Sequence, residues 1–201
     1  GVLIVCTGRA TKRIEELQAG TKEYVATIRL GATTPSFDLE TEIDATYPTS
    51  HITEQRVRDI LPSFTGRIMQ VPPVFSAVKI DGKRAYKFAR KGDEVELKAK
   101  PLQIDALELM SFSPAEITVR VVCSKGTYIR ALARDIGLAL ESGAHLTALR
   151  RTRVGDITTD RCMSVDEAVA MIGSCQLSFP ENYESQQNTK NPGAPSAAPN
   201  N

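Results

Sequence analysis

No apolar stretch in the 201 residues is long enough to span a bilayer, which excludes a membrane-spanning helix. The opening run Gly1-Val-Leu-Ile-Val-Cys is apolar, but it is too short for a signal peptide and has no basic flank. Cysteine is sparse. Cys6, Cys123, Cys162 and Cys175 lie far apart, no Cys-x-x-Cys occurs, and only two histidines, His51 and His145, accompany them. That inventory argues against a zinc site and fits a cytoplasmic protein with reduced thiols. A strong charge of one sign is missing too: the formal net charge is +1, so bulk electrostatics would not gather a polyanion. The chain has no internal repeat and no phosphate-loop pattern.

The distribution of charge says more than its sum. Residues 79 to 91, KIDGKRAYKFARK, carry Lys79, Lys83, Arg84, Lys87, Arg90 and Lys91 against one acid, Asp81. Phe75, Tyr86 and Phe88 lie in or beside this stretch. Arg150, Arg151 and Arg153 form a second basic cluster, whereas Asp38 to Asp44 is acidic. A basic face with aromatics fits RNA; a solvated surface face accounts for the same charges.

The most informative run is CSKGTYIR, Cys123 to Arg130. Upstream, Ile117, Val119, Val121 and Cys123 alternate as one face of a strand. Lys125-Gly126 turns the chain, Thr127 is the candidate cap, and Ile129, Leu132, Ala133, Ile136 and Leu140 recur at helical spacing up to Gly143. Arg130 thus falls in a first helical turn, where the helix dipole disfavours a cation. It is either a surface arginine or the partner of an anion.

Elsewhere, Tyr24, Ala26, Ile28 and Leu30 share a face of a strand over residues 22 to 31, closed by Gly31. Residues 32 to 50 read as a loop. A helix is expected from Thr53 as N-cap to Leu61, stapled by Ile52 and Val57 and ended by Pro62. A hairpin is expected at Asp81-Gly82, a helix over 84 to 91, a strand pair from Ile104 to Val122, and a helix from Ser164 to Ile172 opened by a Ser164/Glu167 capping box. From about Pro180 the composition collapses to Asn, Gln, Ser, Pro and Ala, which cannot bury enough surface to order itself. Strands and helices mix without a βαβ rhythm, so the expected class is α+β with a largely antiparallel sheet.

Four segments in order resemble the TruB family of tRNA pseudouridine synthases: GVLIVCTGRATK (1 to 12), KEYVATIRLG (22 to 31), QVPPVFSAVKIDGKRAYKFARKG (70 to 92), and CSKGTYIRALARDIG with GAHLTALRRTRVG (123 to 155). The likeness implies a pseudouridine-synthase-like mixed, largely antiparallel sheet flanked by helices. It implies a catalytic domain over residues 1 to 175; residues 176 to 201, by their composition, are the expected disordered tail. The implied activity is isomerisation of the T-loop uridine of tRNA, U55, with no cofactor and no metal. The target base would be flipped from its stack, with aromatic stacking offsetting part of the cost. The expected partner is the T-stem-loop of tRNA, with no membrane and no second copy of the chain. The short stretch after Ile172 points to the stand-alone bacterial type rather than the guide-RNA-dependent one.

Position by position, Tyr24 matches the tyrosine that stacks on the target uracil, although a core tyrosine would show the same pattern. Arg130 matches the arginine that pairs with the nucleophilic aspartate and would keep that carboxylate ionised. Tyr128 and Leu149 match positions lining the uridine pocket; alternatively Tyr128 packs beside the turn and Leu149 is plain core. Lys12, Lys79 and Lys125 are phosphate-binding or structural lysines, Lys125 being the best placed. Lys83, Arg84, Arg150 and Arg151 are further candidates for RNA contact. His145 reads as closing a helix.

The family's nucleophile lies in a Gly-Thr-Leu-Asp-Pro run ahead of the GVL with which this sequence opens. The chain therefore reads as a fragment whose head lies upstream, and its activity alone is in question. Asp38 and Glu40, in a polar loop, and Asp135, five residues beyond Arg130, are not expected to substitute; Asp38 suits an Asx turn. The alternative function is a non-catalytic RNA-binding or tRNA-folding module on the same fold.

Overall fold

The computed structural model describes residues 1–76, 78–80, 83–89 and 97–174. Among the described residues there are ten strands: β1 (Lys22–Leu30), β2 (Ala32–Thr33), β3 (Ala45–Thr46), β4 (Gly66–Gln70), β5 (Lys79–Ile80), β6 (Lys83–Arg84), β7 (Lys100–Ser113), β8 (Glu116–Cys123), β9 (Ala144–Val154) and β10 (Ile157–Thr158). The α-helices are α1 (Ile14–Ala19), α2 (Glu54–Ile60), α3 (Ala85–Ala89), α4 (Ile129–Ala139) and α5 (Val165–Ser174). Six strands form one sheet in the order β10-β9-β1-β8-β7-β4, every neighbouring pair antiparallel. β2 pairs with β3 and β5 with β6 in separate two-stranded ribbons. The chain divides into two units, Gly1–Cys162 and Met163–Asn201. In the second, α5 opens on the expected capping box: Ser164 N donates to Glu167 Oε2 at 2.6 Å and Glu167 N to Ser164 Oγ at 3.2 Å. Among the described residues no helix is long and apolar enough to cross a membrane.

The alternation read in the sequence decides which face of the sheet is covered. Ile117, Val119, Val121 and Cys123 of β8 lie fully buried beside Ala26 and Ile28 of β1. Ile129, Leu132, Ala133 and Ile136 of α4 close over them, as do Ile52, Val57 and Leu61 around α2. Each Val, Leu or Ile among them contributes roughly 1.5–3 kcal/mol on burial. α4 comes close to β9 because residue 137 is glycine: a Cβ there would stand 2.6 Å from Ala144 N. Thr53 caps α2 as expected, its Oγ1 accepting from Arg56 N at 3.2 Å. The opposite face carries charge. Glu23 of β1 accepts from Thr152 Oγ1 at 2.8 Å and from Arg120 Nη2 at 2.8 Å, while Arg120 Nη1 reaches Glu108 at 3.0 Å. The Thr152 hydroxyl, then burial acting in the opposite sense, then Arg120 set the Glu23 pKa, which ends below the usual glutamate value.

Several expectations change. Thr127 does not cap α4; its hydroxyl turns back to Ser124 O at 3.0 Å, and Tyr128 is the N-cap residue without a side-chain cap. The helix stops at Ala139, short of Gly143. His145 closes no helix: it sits buried in β9 with Nδ1 2.9 Å from Ala32 O. The loop over 32 to 50 contains the β2/β3 ribbon. The strands around 79 to 84 flank the expected hairpin, but Asp81 and Gly82 themselves lie outside the described residues, as do residues 90 to 96, Cys175 and the tail.

Candidate active site at the start of helix α4

Arg130 is the second residue of α4, and its guanidinium is half-buried among three acceptors. Nη1 donates to Asp38 Oδ2 at 3.0 Å and to Ser36 O at 3.4 Å, and Nη2 donates to Phe75 O at 2.7 Å. A cation in a first helical turn thus has its anion, supplied from 92 residues away in sequence. Two other elements converge here. One is the loop that follows β2; the other is the segment after β4, whose Pro72 and Pro73 are buried.

The loop is built to present Asp38. Ser36 Oγ donates to Asp38 Oδ1 at 2.6 Å, Glu40 N donates to the same oxygen at 2.9 Å, and Thr34 Oγ1 donates to Asp38 O at 2.7 Å. The bond from Glu40 is the expected Asx turn. Phe37 takes a positive φ of 61°, a region that a bulky residue enters only when its surroundings impose it. Leu146 N, in β9, donates to Phe37 O at 2.9 Å and so ties the loop to the sheet. Arg134, one turn after Arg130, lies over the Phe37 ring at 5.0 Å. Asp135 is paired with Arg134 at 2.7 Å rather than with Arg130, as its helical position implied.

Asp38 also lines a shallow hollow of about 270 Å³ with Leu39, Glu40 and residues Leu146 to Leu149 of β9. Leu149 is 46% exposed, which removes the plain-core reading. It pairs with Ala26, two residues from Tyr24 on β1. Tyr24 is half-buried and packs against the core edge. Burial pushes its hydroxyl up in pKa, opposed by a hydrogen bond to Arg151. A register shift in the β1–β9 ladder falls at Glu23/Tyr24, one residue before Tyr24 meets Arg151, and such irregularities re-aim the side chains beside them.

The remaining basic candidates separate into two kinds. Lys12, Lys125 and Arg150 are exposed, and Lys125 stands beside Gly126, whose φ of +92° makes the turn. Arg151 instead points inward: its Nε donates to Val2 O at 2.8 Å, and Val2 N donates to its carbonyl at 2.7 Å. Lys22, which the sequence did not single out, donates to Gly20 O at 2.6 Å and to Gln18 O. Burial lowers its pKa, and neighbouring Lys125 and Arg151 lower it further. Lys79, Lys83 and Arg84 lie in the β5/β6 ribbon, with side chains outside the described set. Burial raises the Cys123 pKa and leaves that thiol a packing group. Among the described residues no three His, Cys, Asp or Glu side chains converge as a metal cage would require.

Residues 1–129 match the TruB family pseudouridylate synthase N-terminal domain, and residues 130–176 match the tRNA pseudouridylate synthase B C-terminal domain. A tRNA pseudouridine synthase B of Phocaeicola vulgatus is 64% identical over 187 residues, covering 93% of this chain and 75% of its own. One of Parabacteroides distasonis is 67% identical over 167 residues, covering 83% and 71%. One of Mycobacterium ulcerans is 45% identical over 191 residues, covering 90% and 64%. Among solved structures, a chain in a Cbf5-Nop10-Gar1 complex superposes with a TM-score of 0.54 at 29% identity, over 75% of this chain and 35% of that one. The chain therefore spans about a third of that solved neighbour.

Proposed function

This chain belongs to the TruB family of pseudouridylate synthases, and on that premise we propose that its site converts a tRNA uridine, the one in the T-loop, to pseudouridine. The reaction is an isomerisation. The bond from the ribose to N1 of uracil breaks, the base turns, C5 bonds to the ribose carbon, the proton on C5 leaves to solvent and N1 takes one up.

The observation that carries the reading is the half-buried Arg130–Asp38 pair beside the Leu149 hollow. Asp38 fixes the Arg130 guanidinium from one side, so that its other N–H groups face the reacting carboxylate without reorganising during the reaction. The nucleophile this reading requires is the aspartate of the family's Gly-Thr-Leu-Asp-Pro run. Tyr24 stacks on the flipped base, and Tyr128 and Leu149 bound its pocket. Arg151 bonds the backbone of Val2 and supports Tyr24, and it remains a candidate for RNA contact. Lys12, Lys125 and Arg150, with Lys79, Lys83 and Arg84 of the ribbon, hold phosphates.

The test is tritium release from a T-stem-loop RNA labelled at C5 of its uridines, using the enzyme as its gene encodes it. Release is expected, and Arg130→Ala should lower turnover by roughly 10²–10³-fold while RNA is still bound. Binding without release by the native protein would overturn the catalytic reading in favour of an RNA-folding module.

A further inference from the structure

Gln70 is the last residue of β4 and only 1% exposed, a burial that an amide tolerates only with its hydrogen bonds made. Both ends of that amide go to one residue 58 positions away. Tyr128 N donates to Gln70 Oε1 at 2.9 Å, and Gln70 Nε2 donates to Tyr128 O at 3.2 Å. The amide orientation is fixed by chemistry, since only its oxygen can accept an N–H.

Tyr128 is the N-cap residue of α4, and neither its own side chain nor Thr127 caps the helix. The first turn, which carries Arg130, is thus held by a side chain from another strand. The chain that follows Gln70 continues the attachment: Val71 O accepts from Arg134 Nη2 at 3.2 Å, and Phe75 O accepts from Arg130 Nη2 at 2.7 Å. These bonds lace residues 70–75 along one edge of α4, starting at the amide.

We propose that Gln70 is a positioning residue: its buried amide, clamped on both backbone polar groups of Tyr128, sets the placement of Tyr128 and, two residues on, of Arg130 against Asp38. The proposal rests on the functional reading above for its consequence in turnover, but not for the clamp itself. Apolar packing does not explain the arrangement, because a methionine of similar shape would fill the volume and leave Tyr128 N–H unmet.

The experiment compares Gln70→Met and Gln70→Glu with the native protein, in the native and Arg130→Ala backgrounds. Gln70→Met should lower the single-turnover rate about 10- to 100-fold, the usual cost of displacing a reacting group by an ångström, with RNA affinity held within roughly threefold. Gln70→Glu keeps the acceptor for Tyr128 N–H and should lose less. In the Arg130→Ala background the Gln70→Met loss should nearly vanish, because the group it positions is gone. An equal fold-loss in both backgrounds, or a matching loss of RNA affinity, would overturn the proposal. Amide hydrogen exchange decides it even for a protein that makes no pseudouridine. Gln70→Met should speed exchange at Tyr128 by roughly tenfold or more while Val119 and Val121 of β8 stay protected. Unchanged exchange at Tyr128, or equal loosening of β8, would overturn it.

Discussion

Asp38 receives three groups at once: the Ser36 hydroxyl, the Glu40 amide and the Arg130 guanidinium. A carboxylate satisfied from both oxygens is a fixed charge, and a fixed charge makes a fixed counterpart of Arg130. Asp38→Asn keeps the shape and removes the charge, so the guanidinium is expected to lose its anchor while the Asx turn survives. Turnover should fall by roughly 10²-fold, with RNA affinity within about threefold, as read by single-turnover tritium release and filter binding. The Asx turn itself was legible in Ser-Phe-Asp-Leu-Glu, because its partners lie two residues apart. The pairing with Arg130 was not, because no local pattern links positions 92 residues apart. What the sequence did offer was a misplaced cation in a first turn, and its anion came from within the chain. Gln70 gave no signal at all, since a glutamine at an inward strand position reads as a break in the apolar pattern.

At the scale of elements, legibility follows burial. β1, β8 and α2 each present one covered face and one open face, so their periodicity is written in the residues. β9 is not. Only its two ends are buried, and the middle run Ala148, Leu149, Arg150 is exposed, so pairing with β1 rather than propensity makes it a strand. α1 has no buried residue and hence no apolar stripe to read. At the seam between α4 and β9 the two backbones come very close. Gly137→Ala would improve helix propensity by about 0.8–1.0 kcal/mol, yet its Cβ would stand 2.7 Å from that of Ala144. Backbone and a short side chain cannot swing aside, so a net destabilisation of about 1–3 kcal/mol is expected in urea melts. Since α4 carries Arg130, turnover should fall alongside stability.

For the whole molecule, the near-neutral sum of +1 conceals a division of labour. Glu23, Arg120 and Glu108 neutralise one another across β1, β8 and β7, whereas Lys125 and Arg150 stand exposed. RNA affinity should therefore fall with salt. Lys125→Ala or Arg150→Ala should each flatten the log-log slope by about 0.7–0.9, one phosphate contact's worth, leaving single-turnover rates at saturation unaltered. An unchanged slope for both would place the RNA path on another face.

The central position of β1 has a consequence in time. Lys22 pairs with Cys123 on one side and with Val154 on the other. At about 5–20 residues per second, a ribosome needs roughly 5–20 s after making Lys22 to reach the first of those partners, and longer to reach the second. Throughout that interval Ala26, Ile28 and Leu30 have no strand on either side to cover them. The nascent chain thus carries an open apolar ribbon until β8 is made, and its yield in the cell should depend on chaperone holding more than its final stability suggests.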